Sequence, residues 1–236
     1  MGAENRLAPP RASDGGSGSK GNLKMKDPKC ASCGKLNCMQ SAPQSEPPKF
    51  CPMENFPEIV KAAVAEYRDD PLKEKLALSA ARVEAEGYGK WTRVEETIHF
   101  ARKIGAKKIG VATCVGLLKE SQTLAEILES AGMEPVSVCC KTGGVDKCEI
   151  GLEQEEKILE GFYEAICNPV AQARVLNEIG TDMNILMGLC VGHDMLFLKE
   201  AEAPTTVLVV KDRVTGHNPA AALYLSQFYY RKLFSV

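Results

Sequence analysis

Residues 107–140, KKIGVATCVGLLKESQTLAEILESAGMEPVSVCC, decide the fold. KKIGVAT (107–113) is a short β-branched run, 116–132 is an amphipathic helical stretch closed by Gly132, and PVSVCC (135–140) is a second strand. Strand, helix and strand in succession define a parallel pair joined by a crossover. The alternation continues downstream: helices are expected over 152–165 and 169–179, a strand at NILMGL (184–189), a helix over 193–201, a strand at TTVLVV (205–210) and a helix over 219–232. The expected architecture is an α/β three-layer sandwich with a mostly parallel sheet of four or slightly more strands.

Upstream, residues 56–105 read as helical. Pro57 suits a first helical turn, with Ile59, Ala63 and Val64 as an apolar stripe; a second helix follows Asp70-Pro71 with Leu72, Leu76, Ser79, Ala80 and Val83 on one face. A third starts at the capping box Thr92-Arg93-Val94-Glu95, passes through Ile98 and Ala101 and ends near Gly105. Residues 1–26 are rich in Gly, Ser, Pro and Ala without periodicity and read as a flexible tail. The organisation expected is therefore a tail (1–26), a four-cysteine segment (27–55) and a helical plus α/β body (56–236).

The 236 residues carry 29 basic and 31 acidic side chains, a net charge of −2, so no basic excess points to nucleic acid or an anionic membrane as partner. No apolar run approaches the roughly 18 residues needed to span a bilayer. The N-terminal residues lack the apolar core of a secretory signal, and Arg6 stands where a myristoylation signal wants Ser or Thr. A cytoplasmic protein is expected. Its ten cysteines are then anomalous, because a reducing compartment keeps thiols free and a cysteine-rich chain there is more often metal-binding or catalytic.

Cys30, Cys33, Cys38 and Cys51 form C-x2-C-x4-C-x12-C in a proline-rich stretch too poor in apolar residues to fold alone. The glycine after the second cysteine permits a tight turn that directs backbone amides at the sulfur. Four thiolates complete the shell of zinc or of an iron–sulfur cluster. Zinc usually takes two C-x2-C knuckles, and the second half here is not one. The segment resembles the four-cysteine [4Fe-4S] module of corrinoid iron–sulfur proteins, with a shorter last spacer, and [4Fe-4S] is preferred to Zn2+.

A second set falls at strand ends: Cys114 after the first strand, Cys140 ending the second and Cys190 ending the third. In an open parallel sheet these ends converge on one crevice. Cys167 precedes Asn168-Pro169, a helix start, which favours a thiolate. His193 follows Cys190 in GLCVGHD, and His217 lies in GHNP beyond the fourth strand, repeating the Cys167 arrangement. His99 is read as a partly buried structural residue, and Cys139 and Cys148 as packing residues. No glycine-rich phosphate loop follows any strand; KTGG (141–144) alone is a poor phosphate signal.

The segments FARKIGAKKIGVATCVGLL, VCCKTGG, CNPVAQARVLN, TDMNILMGLCVGHDMLFLK and KDRVTGHNPAAALY resemble the cysteine-rich domain-of-unknown-function family 1847 of anaerobic bacteria and archaea, over about residues 28–232. The resemblance implies metal binding through Cys30, Cys33, Cys38, Cys51, Cys114, Cys140, Cys167 and Cys190, and supplies no reaction. Two functional expectations follow. One is an iron–sulfur protein of redox or electron-transfer type, with one or two [4Fe-4S] clusters. In it His193, Asp194 and His217 would line the substrate side as proton-transfer groups, serving a redox partner protein or a small-molecule substrate. The other is a zinc-stabilised binding or metal- and redox-sensing module whose strand-end thiols exchange metal or form disulfides. A sulfur-transfer enzyme carrying a persulfide on Cys167 or Cys190 is a third, plainer possibility.

Overall fold

The computed structural model describes residues 27–236 and divides between Asp69 and Asp70 into two units. The tail expected over 1–26 lies outside the described residues.

In the first unit, the cysteine-rich stretch makes 3-10 turns at Cys30–Ser32 and Asn37–Met39, and leads into helices α1 (Pro52–Asn55) and α2 (Pro57–Asp69). Side-chain amides replace a core here. Asn37 is buried and donates to the Ser45 carbonyl at 2.7 Å, and Asn55 donates to the carbonyls of Lys49 and Cys51 at 3.0 and 2.8 Å. Helix α2 begins at Pro57 as expected, but Ile59, Ala63 and Val64 all remain exposed.

The second unit opens with α3 (Pro71–Gly87), whose N-cap Asp70 accepts from the amides of Leu72 and Lys73. Of the expected face of α3, Ser79 and Val83 are buried while Leu72 and Ala80 are exposed. Helix α4 (Arg93–Ile104) has the Thr92/Glu95 capping box and stops at Gly105, left-handed at φ 73°. Its Thr97, Ile98, Ala101 and Ile104 are buried, one stripe at helical spacing.

Strands β1 (Lys108–Thr113), β2 (Glu134–Cys139), β3 (Met183–Met187) and β4 (Thr205–Val209) form one sheet in the order β2-β1-β3-β4, every pair parallel. The connections run through α5 (Leu118–Ser130), α6 (Pro169–Ile179) and α7 (His193–Glu200). Side chains alternate across the sheet. On one face Ile109, Val111, Ile185 and Met187 join Ile98 and Ala101 of α4 and Leu124 and Leu128 of α5. On the other, Ala112, Val138 and Leu186 join Ala173 and Leu176 of α6 and Phe197 of α7. These are the three layers of an α/β sandwich. Among the described residues no helix is long and apolar enough to cross a membrane.

Two expected helices differ. Residues 152–165 are not helical: 3-10 turns at Lys147–Ile150 and Gln154–Glu156 are followed by irregular chain. Gly151 and Gly161 adopt φ of 91° and 77°, and the Lys157 side chain, 1 % exposed, turns inward to Asp146 at 2.7 Å instead of projecting from a helix surface. The expected helix 219–232 is shortened to α8 (Pro219–Tyr224), then turns and a 3-10 segment at Arg231–Ser235. Leu223, Tyr224, Phe228 and Tyr229 are all exposed, so no packed face carries the helix further.

Candidate functional site

The chain leaves β1 for β2 on one side and returns to β3 on the other. The point where the strand order reverses therefore lies between the carboxyl ends of β1 and β3, the usual place for a ligand crevice. The backbone ladder runs one residue past each strand and fixes the cysteines there. The Cys114 amide donates to Met187 O at 3.0 Å, the Cys140 amide to Thr113 O at 2.8 Å, and the Asn168 amide, next to Cys167, to Cys140 O at 2.7 Å. Beyond β3, the Gly188 amide donates to Val209 O at 2.8 Å, and Gly188 is left-handed at φ 68°. A side chain at Gly188 would collide with Leu117, so the turn that carries Cys190 depends on glycine.

Three of the four strand-end thiols interact. Cys140 and Cys114 are buried, and Cys167 is partly buried. Cys140 and Cys167 shift each other in opposite directions, Cys167 down and Cys140 up. The hydrogen bond from Cys140 lowers Cys167 to about 5, and Lys141 and His193 add positive charge. Cys140 is pushed far up by that bond and by burial, while the Val115 amide donates to its sulfur at 3.3 Å. Cys114 lies within electrostatic reach of Cys140. Cys190 stands apart from this pair: Arg213 donates to its sulfur at 3.3 Å and also lies in the field of Cys114 and Cys167. Lys211 lies close by, its ammonium 3.5 Å from where a Cβ on Gly116 would stand.

Helix α6 is anchored beneath the site by Gln172, which is fully buried and donates through Nε2 to Thr113 O at 3.1 Å and Val138 O at 2.6 Å. Asn168 caps the helix by accepting from Ala171 N at 3.0 Å. Asn218-Pro219 adopts the same N-cap backbone as Asn168-Pro169 but makes no side-chain cap bond.

The expected proton-transfer groups are placed unequally. His193 starts α7 near Cys167, with Nδ1 buried and without a hydrogen-bond partner. Asp194 accepts from the amides of Gly192 and Met195 at 3.0 and 2.8 Å, which commits it to the helix start. His217, at φ 67°, takes the Asp212 amide on Nδ1 at 3.2 Å and closes the turn after β4. His99 stacks on Trp91 with ring centroids 3.8 Å apart, a structural role. Cys139 packs against the core, and Cys148 accepts from Gln154 Nε2 at 3.3 Å.

In the first unit, the amides of Leu36 and Lys35 point at Cys33 and lower its thiol, with Leu36 left-handed at φ 48°. The turn after Gly34 thus directs amides at sulfur as expected. Cys30 and Cys38 are exposed and Cys51 half-buried. Among the described residues no three Cys, His, Asp or Glu side chains stand close enough to hold a metal ion as placed. The donor chemistry nonetheless fits a thiolate-ligated centre: four sulfurs on one sheet edge, three of them interacting, with Lys141, His193 and Arg213 positioned to balance negative charge.

Sequence reasoning missed Lys141, Lys211, Arg213 and Gln172. The cations follow β2 and β4 as the cysteines follow β1, β2 and β3, so the strand-end rule applied to Lys and Arg would have found them. Gln172 carries no such signal.

The fold is that of a parallel α/β protein with cysteines following the carboxyl ends of its strands. The chain belongs to the family described as "Protein of unknown function (DUF1847)", whose model matches residues 51–208. It is also 44 % identical over 205 residues to a protein of Methanocaldococcus jannaschii named "Uncharacterized protein MJ0455", covering 87 % of this chain and 97 % of that relative. The family match contains Cys51 and all four strand-end cysteines, while Cys30, Cys33 and Cys38 precede it.

Proposed function

We propose that this chain is a cysteine-ligated metal protein of redox or electron-transfer type. In this reading Cys114, Cys140, Cys167 and Cys190 hold an inner centre at the carboxyl edge of the sheet, and Cys30, Cys33, Cys38 and Cys51 hold another. The observation that supports it is that Cys114 and Cys140 are held at the carboxyl ends of parallel strands by the backbone ladder, with Cys167 beside Cys140 through the Asn168 amide. Disconnected segments supply the sulfurs, and the groups around Cys167 lower its thiol, which favours the thiolate a metal ligand needs. An all-sulfur donor set suits an iron–sulfur cluster, which would supply one-electron transfer when bound. The chain's own groups then set the surroundings. Arg213 and Lys141 offset the thiolate charge, and His193, at the start of α7 near Cys167, is the proton-transfer candidate for a substrate or a redox partner protein.

The test is anaerobic isolation of the full chain followed by metal and sulfide analysis with optical and paramagnetic-resonance spectra. About eight iron and eight sulfide per chain are expected for two four-iron clusters. Zinc alone replaces the redox reading by a zinc-stabilised module, and protein with neither metal ends both.

A further inference from the structure

We propose that Cys140 and Cys167 also form a reversible disulfide, making the strand ends a dithiol site whose substrates are small-molecule disulfides. The first support is backbone geometry. Cys140 is held by its amide to Thr113 O, and its carbonyl accepts from Asn168 N at 2.7 Å. That bond sets the Cys140 and Cys167 backbones side by side, the close approach a disulfide demands. The second is packing: Cys167 packs against the buried cluster that contains Cys140. The third is the differing access of the pair. Cys167 is partly exposed and Cys140 only 2 % exposed, so an incoming disulfide meets Cys167 first.

The reaction balances without further reagents. The Cys167 sulfur attacks one sulfur of a disulfide RSSR, forming a mixed disulfide and releasing RS−. The Cys140 sulfur then attacks Cys167 sulfur, forming the protein disulfide and releasing a second RS−. RSSR gains two electrons, the two cysteines lose two, and the protons the pair held leave on the released RS− groups. The new bond closes the excursion of residues 141–166, which is already cross-braced by the Asp146–Ala165 bridge and the Lys157–Asp146 ion pair. Because both sulfurs are consumed, the disulfide and a metal at the inner centre exclude each other; this last consequence rests on the metal reading, the disulfide does not.

The experiment uses the full-length metal-free chain, reduced and then treated with glutathione disulfide. Peptide mapping without reductant is expected to join the Cys140 and Cys167 peptides in wild type and in the Cys139→Ser and Cys148→Ser variants. In Cys140→Ser, Cys167 should instead accumulate a stable glutathione adduct, and in Cys167→Ser the Cys140 adduct should be absent, with thermal melts confirming that both variants are folded. If Cys140 and Cys167 both remain alkylatable after treatment, the proposal is overturned. Repeating the treatment after loading with ferrous iron and sulfide separates the two readings. A disulfide that forms equally with or without those ions leaves the dithiol site standing and removes the inner centre. Uptake of the ions with no disulfide in the metal-free chain does the reverse.

Discussion

At the scale of single residues, the site depends on side chains that do not themselves perform chemistry. Gln172 ties α6 to both β1 and β2, and its Oε1 is buried without a partner. Gln172→Leu would remove two buried hydrogen bonds and leave Val138 O without that donor. A loss of about 2 kcal/mol is expected by urea denaturation, together with faster alkylation of Cys167 as the start of α6 loosens. A stability within about 0.5 kcal/mol of wild type would mean that Gln172 holds nothing in place. Gly188 is the second such residue. Gly188→Ala meets both a left-handed backbone and Leu117, so a loss of about 2 kcal/mol and a displaced Cys190 are expected, read as weakened metal uptake at otherwise unchanged secondary structure. The cysteines themselves were legible in the sequence because each closes a strand or precedes a helix start. Gln172 was not: a glutamine on a helix is ordinary, and only the three-dimensional approach of α6 to two strand ends gives it a role.

At the scale of elements, Asp182 ties β3 to the start of β1. Its carboxylate accepts from the amides of Lys107 and Lys108, both at 2.8 Å, and these bonds hold it below the usual carboxylate range. A depressed folded value makes this contribution complete above the unfolded value of about 4 and lost as pH falls through the folded value. Asp182 is largely exposed, so the effect is of order 1 kcal/mol. Asp182→Asn should therefore destabilise the chain at neutral pH and flatten the decline in stability below about pH 4. Equal acid profiles for wild type and variant would contradict this. The four strands and α4 to α7 were readable because each combines a clear period with its own stop signals, such as the Thr92 cap and the glycine closing α4. Residues 152–165 misled because polar residues with occasional apolar ones imitate a helix. The deciding interactions, Lys157 with Asp146 and Lys147 with Glu164, cross the excursion, and no local pattern announces them.

At the scale of the whole molecule, the sulfur atoms divide between two structural units that differ in how they are held. The strand-end thiols sit on a sheet with a packed layer on either face, and their positions persist through the backbone ladder. Among the described residues of the first unit few side chains are buried, and its cysteines are ordered by turns and side-chain amides, a segment that metal would stabilise outright. The family match, which begins at Cys51, likewise contains every strand-end cysteine but not Cys30, Cys33 or Cys38. The two proposed centres should therefore load and fail independently. In the triple variant Cys30→Ser, Cys33→Ser, Cys38→Ser, iron content after anaerobic isolation is expected to fall by about half, with the inner signal unchanged in line shape. In Cys114→Ser with Cys190→Ser the complementary half should go, and the remaining signal should vanish when the chain is treated with a strong chelator. That second loss is expected because the proposed outer centre lies on a segment with few buried side chains among its described residues. If either variant loses all of its iron while its melting curve stays cooperative, the two sets of cysteines do not load independently, and the division into two sites is wrong.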